Sequence, residues 1–176
     1  MRFEPFIISN QTNEKVIVRM IPASSDMLRQ TMEPPVWQTD WTSDYLSDPK
    51  IQKYAVLAEY DELVALGAYF PVQNGAVYVY IVYIESSPEN NPVLTHSKDR
   101  KYSGIGELMM AFGIKLPIDL GGNGDILFEA KTDALKEHYI RDFGAIPVGT
   151  VQSGGPVRLL ICDESAARIF TKYLSE

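Results

Sequence analysis

Residues 100–116 read RKYSGIGELMMAFGIKL. Two basic residues lead into a small-residue turn holding Gly104 and Gly106, and an apolar-rich run then continues unbroken to Pro117. Ile105, Leu108, Met109, Phe112 and Leu116 recur at spacings of three and four, which predicts a helix with one buried stripe, ended by Pro117 and the glycines after it. Glycines at the entry of a helix have two uses. They admit a positive φ or a close packing contact, and they bare the first N–H groups and the positive end of the helix dipole to an anion. No Gly-Lys-Ser/Thr closes this turn, and Met109 stands where a dinucleotide fingerprint needs its third glycine, so nucleoside triphosphates and NAD lose ground. Glu107 suits the dipole but would repel a phosphate that it faced, so it is expected to point away.

Upstream, KYAVLAEY and ELVALGAYF are apolar runs separated by little more than Asp61, the pattern of a hairpin. Asn74-Gly75 is a second turn signal, followed by AVYVYIVYIE (76–85), whose two faces are both apolar or aromatic and which therefore belongs near the sheet centre. KVIVRMI (15–21) suits a first strand, and SSDMLRQTM a short helix opened by Ser24 or Ser25. From Ser86 to Arg100 the chain is rich in Pro, Asn and Ser and reads as a long, mobile loop. Downstream, DILFEAK (125–131) is a strand, and TDALKEHYIRDFG a helix with Thr132 as N-cap and Gly144 as stop. PVRLLICD and DESAARIFTKYL add a strand and a terminal helix. The class is mixed α and β.

The 176 residues are enough for one domain with a sizeable core, expected over 1–176. Apolar residues at 45% and charged residues at 22% are ordinary globular usage, which argues against wholesale disorder. A balance of 16 basic against 23 acidic residues, net −7, opposes attraction to phosphate backbones and argues against nucleic acid. The first residues lack an apolar leader core and no run approaches a membrane span, so the expectation is a cytoplasmic protein without a membrane partner. Cys162 is the only cysteine, and His96 and His138 lie far apart; no metal site is expected.

The order of central strand, loop, KYSGIG opening a helix, strand and second helix resembles the Gcn5-related N-acetyltransferase (GNAT) family over about residues 76–150. The family's pyrophosphate signature is Gln or Arg, two residues, Gly, one residue, then Gly or Ala; here it reads Lys101-Tyr102-Ser103-Gly104-Ile105-Gly106. Lys101 keeps the charge without the guanidinium fork, and Arg100 stands one position early, so either side chain is a candidate for the phosphates. Tyr139 precedes Gly144 by five residues where the family more often has four, and Ala145 replaces an aromatic.

The resemblance implies an α+β fold: a mostly antiparallel sheet with a parallel pair at the cofactor cleft, flanked by helices. It implies acetyl-CoA, or another acyl-CoA, as co-substrate. Main-chain groups of Tyr83 and Ile84 would meet the pantetheine arm, those of Tyr102, Ser103, Gly104, Ile105, Gly106 and Glu107 the diphosphate, with Lys101 as a side-chain candidate beside them, and Thr132 would add a further cofactor contact. Acyl transfer to an amine needs a neutral amine, a polarised carbonyl and a proton for the departing thiolate. Glu85, at the strand end, is the candidate proton acceptor, with Glu89 and Glu59 as alternatives, and Tyr139 the candidate proton donor. Leu135, Tyr139 and Phe143 also share a helical stripe, so packing is the competing reading of Tyr139. Cys162, in an apolar strand, reads as a small hydrophobe, and His138 as a surface or cap residue.

Trp37 and Trp41, with Glu33, Asp40, Asp44 and Asp48 nearby, suit a cationic amine on a small molecule or peptide; buried tryptophans with solvated acids are the competing reading. The leading expectation is an N-acetyltransferase. The alternative is a non-catalytic acyl-CoA-binding or partner-regulating domain of the same fold. The terminal helix and the tyrosine-rich strand each suit a homodimer contact. Neither the acyl group nor the acceptor is readable.

Overall fold

In the computed structural model, which describes residues 1–96 and 98–176, the β-branched runs form strands and the runs of period 3.6 form helices. Their order is β1 (Arg2–Phe3), β2 (Phe6–Ser9), β3 (Lys15–Ile17), β4 (Arg19–Pro22), α1 (Ser25–Gln30), β5 (Gln52–Leu57), β6 (Leu63–Asn74), β7 (Ala76–Ser86), β8 (Tyr102–Ser103), α2 (Ile105–Asp119), β9 (Asp125–Glu129), α3 (Asp133–Phe143), β10 (Ile146–Thr150), β11 (Val157–Ile161), α4 (Asp163–Thr171) and β12 (Leu174–Ser175). Among the described residues strand pairing is mostly antiparallel, and β7 and β9 are parallel. The chain divides into two compact units, and β6, β7 and α2 run through both.

The first unit holds Met1–Ala68, Tyr83–Met109 and Ser175–Glu176. Here β4 pairs antiparallel with β5, and β6 and β7 follow in the sheet order. Tyr60 and Asp61, at φ 56° and 59°, make the tight turn expected around Asp61. Strand β6 is buried at every residue from Leu63 to Ala68, so it, more than β7, has both faces covered. The single strand expected over 15–21 is broken. Val18 is buried and donates its N–H to the Pro5 carbonyl, which splits the run into β3 and β4 in different sheets. Strand β3 joins β2 and β8 in a three-stranded sheet, with Ile8 opposite Ser103 and Ser9 opposite Tyr102. The N-terminal hairpin therefore holds the residues that lead into the glycine turn. Loop 86–100, expected to be mobile, contains a short helical turn at Pro88–Asn90 and a Thr95 hydroxyl donating to the Pro88 carbonyl; its position 97 lies outside the described residues.

The second unit holds Tyr69–Val82 and Met110–Leu174. Strands β7 and β9 pair from Tyr78↔Asp125 to Tyr80↔Leu127, although β7 continues to Ser86 and β9 to Glu129. On its other side β9 pairs antiparallel with β11, which pairs with β10. Helix α2 is buried at Met110, Ala111, Phe112 and Ile114, more than the single stripe expected. A Cβ on Gly113 would sit 3.1 Å from Ile81 Cδ1 and 3.2 Å from Tyr69 Cε1, so this glycine serves helix–strand contact. Pro117 does not end α2, which runs on to Asp119. The stop is Gly121, at φ +86°, with the Gly122 N–H donating to the Pro117 carbonyl at 2.8 Å. Helix α3 begins and ends as expected: Thr132 Oγ1 accepts from the Leu135 N–H, and Gly144 at φ 69° closes it. No helix among the described residues is long and apolar enough to cross a membrane.

Candidate functional site

The glycine turn lies in the first unit. Gly104 has φ +80°, and the Leu108 N–H donates to its carbonyl at 3.0 Å, opening α2. The N–H groups of the first helical turn, Ile105 to Glu107, have no acceptor a turn behind them within the helix. An added Cβ at Gly104 or Gly106 would meet nothing within 4 Å, and Gly106 does not have a positive φ. The turn is thus open to an incoming group. Tyr102 is the exception, because its N–H donates at 2.8 Å to Asn90 Oδ1, in a side chain only 2% exposed. The expectation that the Tyr102 amide joins the anion-binding set meets a built-in competitor.

The two basic candidates take different partners. Lys101 Nζ bonds Glu62 Oε2 at 2.6 Å and stands 5.1 Å from the Tyr102 ring centroid. The hydrogen bond from Glu62 raises the Lys101 pKa, while burial pushes the Tyr102 phenol up. Arg100 gives its carbonyl to Asn10 Nδ2 at 2.7 Å, and its buried Nε has no hydrogen-bond partner among the described residues. Both side chains line a cleft of about 950 Å³ together with Lys98, Glu59 and the N-terminal hairpin.

Glu85, near the end of β7, is 9% exposed. Its Oε1 accepts the Gln38 N–H at 2.6 Å and lies 3.3 Å from the Thr39 nitrogen; Oε2 accepts the Thr39 N–H at 3.1 Å and Trp41 Nε1–H at 2.9 Å. Asn91 Nδ2 adds a bond to Gln38 Oε1 at 3.1 Å. A carboxylate offers about four lone-pair sites. The three donors occupy most of them. The tryptophans are interior, Trp37 at 8% and Trp41 at 1% exposed, while Glu33, Asp40, Asp44 and Asp48 face solvent. That is the packing pattern for the aromatics, and it leaves the acids outward. Tyr45 is 65% exposed and meets the Tyr83 ring edge-on at 6.4 Å, with Ile84 half-buried beside it in the strand.

Thr132 and Tyr139 lie in the second unit. The Thr132 hydroxyl accepts the capping bond. Tyr139 is half-buried, its ring 4.9 Å from Phe128 and 5.9 Å from Phe143, and burial raises its phenol pKa. Leu135, in the same expected stripe, is 37% exposed, so that stripe is only partly covered. His138 Nδ1 lies 2.6 Å from Asp142 Oδ2, a surface pair. Burial raises the Cys162 thiol pKa, and Sγ donates to Asp163, an unfavourable setting for a nucleophile.

The sequence reading missed Asn90, Glu62 and Asn10. Asn90 stood in it only as part of the Pro-, Asn- and Ser-rich loop 86–100; its signal was an amide type able to accept and donate at once, but its partner is twelve residues away. Glu62 pairs with a lysine 39 residues on, which no local pattern encodes.

No protein-family model and no curated protein matches this chain. Solved structures do. The histone acetyltransferase HPA2 and related acetyltransferase of Corynebacterium glutamicum is similar at 14% identity and TM-score 0.52, over 82% of this chain and 96% of that one. The spermidine/spermine N-acetyltransferase SpeG of Vibrio cholerae is similar at 10% identity and TM-score 0.57, over 89% and 97%. An uncharacterized protein of Bacillus halodurans is similar at 10% identity and TM-score 0.59, over 98% and 97%. With the short parallel pair and the glycine-opened helix, these similarities define the class: the chain has a GNAT-like fold. At such identities the likeness is one of fold, and the activity is argued from residues.

Proposed function

We propose that this chain is an acyl-CoA-dependent N-acyltransferase that transfers acetyl from acetyl-CoA to an amine. The observation that carries the reading is Gly106. It has neither a positive φ nor a neighbour that forbids a side chain, yet glycine in a helix is less stable than alanine by about 1 kcal/mol. A ligand approaching the backbone there supplies the missing reason. Together with Gly104 and the first-turn N–H groups of Ile105 and Gly106, which have no acceptor a turn behind them within the helix, it fits the diphosphate of coenzyme A.

When bound, the cofactor supplies a thioester that an amine attacks to give an amide and a free thiol. The amides of Gly104, Ile105, Gly106 and Glu107 hold the diphosphate, with Lys101, Tyr102 and Ser103 forming the approach to the turn. Main-chain groups of Tyr83 and Ile84 orient the pantetheine arm, and Thr132 contributes from the N-terminus of α3. Tyr139 holds the proton for the thiolate. A phenol near pKa 10 giving its proton to a thiolate whose acid is near 8.5 is uphill by about 2 kcal/mol, and burial of Tyr139 adds to this. Its contribution is therefore strongest if the proton is shared in the transition state and not fully transferred. The acceptor is an amine that is cationic in solution and is met by the outward acids of the 33–48 segment and by Tyr45; it would give one proton to solvent and attack as the neutral amine. The cell compartment proposed is the cytoplasm.

The alternative, a non-catalytic acyl-CoA-binding domain, is favoured by the pairing of Lys101 with Glu62 and by the three N–H donors that already engage both oxygens of Glu85. Both readings are tested by a thermal melt with excess acetyl-CoA, using ATP and NAD as controls. At one hundred times its dissociation constant a native-state ligand adds about 2.7 kcal/mol, or about 5–11 °C for a chain of this size. A rise specific to acetyl-CoA or CoA, followed by release of free thiol with a panel of amines, supports the enzyme. A rise without turnover supports the binder. No rise and no calorimetric binding overturn both.

A further inference from the structure

We propose that Glu85 is a positioning residue: its carboxylate fastens the Gln38–Trp41 segment to the end of β7 and so fixes the part of the first unit that meets the acceptor amine. The inference rests on the N-acyltransferase reading for its kinetic consequences, and on geometry alone for the fastening.

Three N–H donors converge on one side chain: the backbone N–H groups of Gln38 and Thr39 and the indole Nε1–H of Trp41. All three come from one short segment that has no regular secondary structure of its own. Such a segment leaves its N–H groups without ladder partners, and an ionised carboxylate is an acceptor-only group suited to collect several at once. The segment is tied at further points. The Trp37 N–H donates to the Thr31 carbonyl at 3.0 Å, and Asn91 Nδ2 holds the Gln38 side chain. Just beyond, Asp40 closes a local turn by accepting the Thr42 N–H at 3.0 Å, which leads into the exposed Asp44 and Tyr45. With three donors on its two oxygens, Glu85 keeps at most about one lone-pair site for an amine proton. A proton acceptor would need one pointing at the substrate.

Glu85→Gln separates the two roles. The carboxamide keeps one acceptor oxygen and turns an NH2 group toward donors that need an acceptor, while removing the base. If Glu85 positions the segment, the acceptor KM rises about tenfold or more while kcat falls less than about threefold, and the pH profile of kcat keeps its shape. Trp37 and Trp41 are the only tryptophans, so their fluorescence reports on the segment without any turnover. Their emission should move to the red and acrylamide quenching should increase. If Glu85 is the base, kcat falls by about a hundredfold or more, the acidic limb of its profile disappears, and the fluorescence stays as it was. That result overturns the proposal, as does an unchanged fluorescence with an unchanged acceptor KM.

Trp41→Phe serves where Glu85→Gln fails to fold, because it deletes the indole donor and keeps an aromatic ring in the core. The positioning role expects the acceptor KM to rise several-fold more than kcat falls, with the remaining Trp37 becoming easier to quench. An unchanged acceptor KM and quenching overturn it. Should the unsubstituted protein acylate no amine, the N-acyltransferase reading fails, and the fluorescence alone decides the fastening.

Discussion

Replacing Gly106 by glutamine sets the chain's own stability against its cofactor site. Gly106 is the second residue of α2, and a Cβ there meets nothing within 4 Å. Glutamine is a good helix former, so the substitution should stabilise the protein by up to about 0.5–1 kcal/mol, reduced because the site is in the first turn. For a chain of this length that is a rise in Tm of about 1–4 °C. The same side chain would occupy the space through which the diphosphate reaches the first-turn N–H groups. Losing one charge-assisted hydrogen bond costs about 1.5–3 kcal/mol, which is about 10- to 150-fold in acetyl-CoA affinity. Gly106→Ala is the small control: it should stabilise and lose less affinity than Gly106→Gln, in proportion to the single methyl group it places in the approach. The assays are a melt without ligand and titration calorimetry with acetyl-CoA. A Gly106→Gln protein that gains stability and binds acetyl-CoA as before would refute the claim that this glycine is kept for a ligand.

Lys101→Ala should change the acetyl-CoA KM by less than about threefold, because the ammonium already pairs with Glu62 in a part-exposed salt bridge worth about 0–1 kcal/mol. A tenfold rise in steady-state kinetics would mean that Lys101 leaves Glu62 for the phosphates. Asn90→Ala leaves the Tyr102 N–H without its buried acceptor and should cost about 1–3 kcal/mol, read by urea unfolding; a loss below about 0.5 kcal/mol would show that the bond is dispensable. Asp142 has its carboxyl pKa lowered to about 2, first by Arg141 and then by His138. A carboxyl depressed in the folded state contributes stability above its unfolded value near 3.9, and that contribution is lost as pH falls through the folded value. The acid-unfolding curve should therefore lose part of its slope between about pH 4 and pH 2 in Asp142→Asn. An identical curve would show that the surface pairs contribute nothing.

The hairpins around Asp61 and Asn74-Gly75, the glycine turn and the start of α2 were legible because their signals are local: β-branched runs, turn residues, and apolar residues three and four apart. The break at Val18 was not. An unbroken run of β-formers looks the same whether it serves one sheet or two, and here the outcome depends on a hydrogen bond to Pro5 and on pairing with β2. Pro117 misled for a related reason. Proline removes the N–H bond to the residue four before it, but the later residues of the turn still bond back, as Leu120 N–H does to the Leu116 carbonyl at 3.3 Å, and the stop is made by Gly121. Glu85 shows the limit most clearly. Its position at the strand end was readable, and a glutamate there suits either a base or a clasp. What separates these is how many donors reach it, and those donors are 44 to 47 residues away in the chain.

The two kinds of glycine in α2 suggest how far a ligand-free structure carries a functional argument. Gly113 is accounted for by the molecule itself, since a Cβ would press on Ile81 and Tyr69. Gly106 is not, since space and backbone both admit a side chain. A residue that costs stability and is required by nothing inside the protein points to something outside it. By the same test Glu85 points inward, because both of its oxygens are engaged by three N–H donors of the chain. The chemistry of this fold is therefore to be sought first at the open turn, and the buried carboxylate is to be treated as part of the frame until Glu85→Gln kinetics show otherwise.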